Sequence, residues 1–307
     1  MHARAISLLQ ALAPAEGYNL TVLPDVRILR SDRPLASTPV LYDPGIVIVC
    51  QGTKRGYFGD EVYVYDERHY LAVSVPVPFT METDATARRP LLAIYMHLDF
   101  ALAAELILEI DRLGGVPPAG NPRSMTSSPM DEDFFASVLR LLAALSRPLE
   151  GELLGRSLVR EIYFRVLTGP QGEAIRAALS MQGRFGKVGK ALRRIHAGYA
   201  TRLDIHALAA ESGMSVPAFH AAFKAVTSTS PMQYLKSTRL HQARLLMVRE
   251  AYTAAVACHA VGYESASQFN REFKRLFGLT PAAEARRMKA SFALPPAHAH
   301  AVYVSSH

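Results

Sequence analysis

The segment Ser267-Gln268-Phe269-Asn270-Arg271-Glu272-Phe273-Lys274-Arg275 gathers side chains whose chemistry suits the edge of a base pair. The guanidinium of Arg271 matches the two acceptors of guanine bidentately, and the amides of Asn270 and Gln268 match adenine. Ser267 adds a small donor and acceptor. Lys274 and Arg275 suit phosphates, which position a protein without specifying sequence. The same groups also occur on plain solvated helix faces, so the elements that carry them must decide.

Those elements are duplicated. Phe219, Phe223, Lys224 and Pro231 recur at an offset of 50 as Phe269, Phe273, Lys274 and Pro281, and Gly213 recurs at 49 as Gly262. The second turn is therefore one residue longer. A repeat of this kind marks a duplicated structural unit. Each copy predicts a short helix (205–212, then 253–261), a left-handed glycine turn, and a longer helix capped by Ser215 or Ser265. Pro217 sits in the first turn of the earlier one. Phenylalanines spaced i, i+4 give each long helix an inward face. The outward faces carry Val216, Pro217, His220 and Lys224 in the first copy, and Ser267, Gln268, Asn270, Arg271, Lys274 and Arg275 in the second. The intervening helix turns Leu235, Leu240, Leu245 and Leu246 inward and fixes the spacing. Helix, turn and helix presents a recognition helix to the major groove of double-stranded DNA.

Charge follows the same division. From Lys187 to Lys289 there are 16 lysines and arginines against 6 acids, a balance of +10; the chain carries +7, so the remainder carries −3. A basic block joined to a mildly acidic one fits a polyanion-binding domain with a partner of different purpose.

The first two-thirds read differently. Residues 18–98 show short alternating strands: Ile46–Gln51, then a hairpin turning at Gly59-Asp60, a break at Asp66-Glu67-Arg68, a strand from His69 ended by Pro76 and Pro78, and a strand at 91–98. Strands so closely spaced predict a small antiparallel barrel. Helices then cover 100–182, one ending at Gly114-Gly115, one starting at Asp131, one at Pro148 and one at Gln171. Between the first two lies a polar loop with Pro117, Pro118, Pro122 and Pro129. Residues 183–187 read as a linker, 188–289 as the duplicated domain and 290–307 as a flexible tail.

GYESASQFNREFKRLFGLTP, with the weaker copy GMSVPAFHAAFKAVTSTSP before it, resembles the AraC/XylS family of transcription regulators over residues 188–289. CQGTKRGYFGDEVYVYDERHYLAVSVPVPF, followed by PLLAIYMHLD, is similar to the regulatory domain of one subgroup. The resemblance implies a cupin-like barrel for effector binding or dimerisation, helices that pair two subunits, and activation at promoters with RNA polymerase as a partner. The expected fold is α+β, with an N-terminal antiparallel barrel, a helical dimerisation segment and an all-α domain of two helix-turn-helix units. The first copy departs from the family in its short, apolar outward positions, so most direct readout falls to the second.

An effector would meet Lys54, Arg55, Tyr57, Tyr63, Tyr65 and Tyr70, aromatic surface with polar handles and two cations for a carboxylate. Phe58 and Phe79 add apolar area. The aromatics could instead simply fill the barrel, and the alternative function is an effector-free regulator whose barrel only dimerises. His69, His97 and Asp99 lack the close His-x-His of a metal-binding barrel, so neither metal nor cofactor is expected. His298 and His300 fall in the tail. No catalytic motif appears, and the reading is not of an enzyme; a barrel enzyme fused to a DNA-targeting domain is the distant rival. Cys50 and Cys258 read as buried apolar residues. No run is long enough to span a bilayer, and a cytoplasmic protein is expected.

Overall fold

The stretches GIVIVC and LLAIYM are apolar without alternation, which requires strands covered on both faces. A computed structural model of the chain describes residues 2–114, 116–117, 120–180 and 183–291. Gly115, Pro118, Met181 and the expected tail from 292, with His298 and His300, lie outside the described residues. Helix α1 (His2–Leu12) precedes β1 (Gly17–Leu20), β2 (Val26–Ser31), β3 (Leu35–Tyr42), β4 (Gly45–Gln51), β5 (Thr53–Phe58), β6 (Glu61–Asp66), β7 (His69–Val73), β8 (Val77–Asp84) and β9 (Leu91–His97). Then follow α2 (Phe100–Leu113), β10 (Met125–Pro129), α3 (Glu132–Leu145), α4 (Pro148–Thr168) and α5 (Gly172–Leu179). The strands form an antiparallel half-barrel sheet in the order β1-β2-β9-β4-β7-β6-β5-β8-β3, with β10 on β7.

Among the described residues, those up to 36, 44–74 and 81–180 make one unit, and 37–43, 75–80 and 183 onward make another. In the first unit, α1 to α5 cover one face of the sheet. Ile46, Ile48 and Cys50 of β4, with Ile94 and Met96 of β9, bury against Ala5 and Leu9 of α1, Phe134 and Val138 of α3 and Ile162 of α4. Asp99 caps α2 by accepting from the backbone of Ala101 and Leu102, and Asp131 caps α3 by accepting from Phe134. Gly114 ends α2 at φ 70.

Two strands depart from the sequence expectation. Pro78 does not merely follow a strand; it sits near the start of β8, where Val77, Phe79, Met81 and Thr83 alternate inward. Part of the expected polar loop is β10, whose Thr126 and Ser128 are buried beside β7. A third departure is the expected linker at 183–187, which is the first turn of a helix, α6 (Gly183–Gly198), with Phe185 and Gly186 buried.

Candidate nucleic-acid interface

The second unit continues with α7 (Ile205–Glu211), α8 (Val216–Thr227), α9 (Pro231–Arg249), α10 (Ala254–Ala260), α11 (Ala266–Phe277) and α12 (Pro281–Ser291). Each duplicated turn closes in the same way. Gly213 (φ 61) and Gly262 (φ 82) end the short helices, and the following amides of Met214 and Tyr263 reach back to the carbonyls of Ala209 and Cys258. This is the glycine-ended helix terminus that the repeat predicts. The second turn is one residue longer, since Ser215 and Ser265 precede α8 and α11. Ser265 accepts from Gln268 N at 3.3 Å, whereas the Ser215 side chain makes no cap bond. Lys187 and Lys190 donate to the carbonyls of Gly213 and Glu211, closing the first turn from α6.

The phenylalanines face inward. Phe219, Phe223, Phe269, Phe273 and Phe277 are all buried, and Cys258 packs with the last three. Burying that stripe leaves the opposite face of each recognition helix in solvent. On α8 this face shows Pro217, Ala221 and Lys224, with Val216 and His220 half-buried. On α11 it shows Ser267, Asn270, Arg271, Lys274 and Arg275, all exposed. Two cations and an amide more than α8 presents make the second face the richer in direct donors.

Gln268 behaves differently from the expectation. Its amide donates to Glu272 Oε1 at 3.1 Å, and it is half-buried. Glu272 also accepts from Lys236 Nζ at 3.0 Å and from Tyr263 Oη at 2.6 Å. Burial opposes charge on Glu272, but these donors prevail and hold its carboxyl below the usual range. Glu272 thus ties α11 to α9 and to the turn. Gln268 serves that tie in the free protein. An acid four residues after a Gln in a basic helix was the available signal.

The expected effector residues divide three ways. Lys54 opposes Tyr65 and Gly56 opposes Tyr63 in the β5–β6 register, so Lys54, Tyr63 and Tyr65 share the buried face of that hairpin. Arg55 and Tyr57 lie on the other face and are engaged, Arg55 with Asp84 at 3.0 Å and Tyr57 with Glu82 at 2.8 Å. Tyr70 stacks on Phe134 at 4.7 Å, within the core under the helices. Alternation along a strand puts neighbours on opposite faces, so six nearby residues cannot line one cavity. Lys54 is 1% exposed, and its side-chain amine has no hydrogen bond or ion pair among the described residues. Burial pushes its amine down to about 7. His69 pairs with Asp66 at 2.9 Å, and among the described residues no cluster of three or more metal-ligating side chains forms.

Two glycine-turned helix pairs with buried aromatic stripes and solvent-facing donors define a double helix-turn-helix DNA-binding unit. Residues 22–174 match the AraC-type transcriptional regulator N-terminus, and residues 208–287 match a helix-turn-helix domain. The chain belongs to the AraC type of transcription regulators, with an N-terminal regulatory domain and a sequence-specific DNA-binding domain. It is 34% identical over 85 residues to the RCS-specific HTH-type transcriptional activator RclR of Escherichia coli, covering 28% of this chain and 30% of that one. It is 31% identical over 88 residues to the MmsAB operon regulatory protein of Pseudomonas aeruginosa, covering 29% of each. The match thus spans less than a third of either relative. The fold is similar to that of ToxT from Vibrio cholerae, with a TM-score of 0.59 at 10% identity over 85% of this chain and 98% of that one. A second ToxT structure, with unsaturated fatty acid bound, gives 0.58 at 9% identity over 88% of this chain and 97% of that one. No helix among the described residues is long and apolar enough to cross a membrane.

Proposed function

We propose that this chain is a cytoplasmic activator that reads an asymmetric promoter site mainly through α11 and answers to an apolar carboxylate held at Lys54. The observation that carries the DNA reading is the exposed row Asn270, Arg271, Lys274 and Arg275 behind a buried phenylalanine stripe. Arg271 and Asn270 read base edges, while Lys274, Arg275 and Lys224 meet phosphates. The first unit, with Pro217 and Ala221 outward, reads thymine methyls or groove shape. RNA polymerase is the partner that activation requires. In vitro site selection with the full chain should return a site of about two helical turns. Arg271→Ala should then weaken specific binding by about ten- to a hundredfold and relax one position, the effect of losing a bidentate pair. His220→Ala should cost much less. Equal losses from both variants would overturn this division.

For the effector, Lys54 is the reason. An unpaired ammonium is costly to bury, so the site favours a ligand that brings a carboxylate and an apolar body past Tyr63 and Tyr65. The pH dependence has a definite sign. Below about 7 the amine is already charged; above it the amine is neutral, and binding must take up a proton. Decanoate affinity should therefore be level between pH 6 and 7 and fall above pH 7, by up to about tenfold per unit. Titration calorimetry in buffers of different ionisation enthalpy measures this. A Lys54→Met variant that keeps both the affinity and its pH profile would refute the assignment.

Pairing of two subunits is assigned to α4. Leu149 (72% exposed), Leu153 (70%) and Phe164 (44%) recur at 4 and 11 residues along one face. These side chains make an exposed apolar stripe along α4, and a second copy of α4 covers it.

A further inference from the structure

A cavity of about 450 Å³ lies within the first unit, away from the β5–β6 hairpin. The end of the β2–β9 pair forms its floor, with Val26 opposite Met96, and α2 and α4 form its walls. Its frame is rigid. Tyr163 of α4 accepts from Asp99 N at 2.7 Å and donates to the carbonyl of His97 at 2.8 Å, joining β9, the start of α2 and α4. Arg160 reaches from α4 to Glu105 at 2.9 Å and Glu109 at 2.7 Å on α2. Gly155 lets α4 press on the β1–β2 loop, since a Cβ there would lie 2.8 Å from Leu23.

Most polar groups in this cavity are committed. Arg160 is held by two acids, which leave one negative charge in excess there, Asp99 caps α2, and the Tyr163 hydroxyl both donates and accepts. Two charged side chains are left without a bond. The carboxylate of Asp25, in the loop before β2, and the guanidinium of Arg156, on α4, belong to exposed residues that line the cavity, and neither makes an ion pair or hydrogen bond among the described residues. Beside Asp25 stands the ring of His97, which burial holds below its ordinary range despite that carboxylate, so it is neutral near pH 7 and accepts a hydrogen bond. Beside Arg156 stands the Ser157 hydroxyl. The ground between is apolar: Leu23, Val26, Met96, Leu102 and Val159.

We infer that this cavity is a second small-molecule site of the regulatory unit and takes a zwitterion with an apolar body, of the class of free aliphatic α-amino acids. The ammonium meets Asp25 and His97, the carboxylate meets Arg156 and Ser157, and the side chain lies on Val26 and Met96. The volume is in the range of small-ligand sites. Asp25, Arg156 and Ser157 are solvent-exposed at the mouth of the cavity, so a ligand with one charge makes one charge-assisted contact fewer.

Isothermal titration of the full chain tests this. L-leucine, L-isoleucine, L-valine and L-methionine are the probes, with isocaproate and isoamylamine as single-charge analogues. At least one amino acid should bind, and both analogues should bind about tenfold more weakly or worse, the loss of one charge-assisted contact. Arg156→Gln and Asp25→Asn should each weaken amino-acid binding by about tenfold or more. Their thermal unfolding should stay close to that of the parent, because neither side chain has a partner to lose. Lys54→Met should leave the affinity unchanged, which separates this site from the carboxylate site. Binding of none of the four amino acids, equal binding of an analogue, insensitivity to both variants, or loss in Lys54→Met would each overturn the inference.

Discussion

Glu284→Ala should cost the DNA-binding unit about 3–5 kcal/mol, the usual penalty for leaving a buried charge without its partner. Arg244 of α9 and Glu284 of α12 have no solvent exposure, and Nη1 meets Oε1 at 3.2 Å. Arg287 closes on the same carboxylate at 2.8 and 2.9 Å. The Arg244 guanidinium also lies 4.3 Å from the Phe277 ring centroid and donates to the Pro39 carbonyl at 3.2 Å. Burial pushes Arg244 down to about 10 even with Glu284 beside it. Without Glu284 the cation keeps its desolvation cost and loses its counter-charge. Phe277 is the last residue of α11, so the loss reaches the second recognition helix. Urea unfolding followed by circular dichroism should show an early transition of this unit, and specific DNA affinity should fall with it. The double variant Arg244→Met, Glu284→Leu should recover much of the stability, because it removes both charges and keeps the volume. A single variant within about 1 kcal/mol of the parent, or a double variant as unstable as the single, would show that the pair is solvated.

The aromatic stripes, the helix start at Asp131, the cap at Ser265 and the glycine turns at 213 and 262 were all legible, because each rests on a local rule of spacing or backbone conformation. The repeat also accounts for Ser228. It holds φ 55 where the second copy has Gly278 at φ 76, fifty residues on. What was not legible depended on partners distant in sequence. Gly183 and Gly186 look like a linker because glycine weakens helices. Yet Phe185, Val188, Leu192 and Ile195 fall on one buried face, and packing of that face outweighs the propensity. Pro78 reads as a strand end, but β8 is recruited by its neighbours in the sheet. Tyr70 and Lys54 look alike from sequence, both in strands with polar tips. Only the pairing of β5 with β6 and the stacking of Tyr70 on Phe134 show that they belong to different cores. Arg244 and Glu284 carry no local pattern at all, since their spacing of 40 residues means nothing until α9 and α12 meet.

Gly262→Ala should cost about 3 kcal/mol or more, while Gly213→Ala should cost about 1 kcal/mol, the left-handed strain alone. Both glycines have positive φ, so the difference lies in the surroundings. A Cβ at Gly262 would stand 2.2 Å from the carbonyl oxygen of Ala200 and 2.9 Å from its carbon. At Gly213 the nearest atom is Lys187 Nζ at 3.8 Å, ordinary contact with the end of a flexible side chain. The Ala200 turn has little room to retreat, because Arg239 holds the carbonyls of Tyr199 at 2.7 Å and Thr201 at 2.9 Å on either side of it. The strain must then be relieved by moving the α10–α11 turn. That turn carries Tyr263, whose hydroxyl bonds Glu272 of α11. Gly262→Ala should therefore also weaken specific DNA binding in the fraction that stays folded, whereas Gly213→Ala should leave it near the parent. Paired urea titrations and binding isotherms at one salt concentration decide the matter. Equal stability losses at the two glycines would mean that the Ala200 turn yields, and that the second helix pair is not braced by α6 and α9 in the way these contacts require.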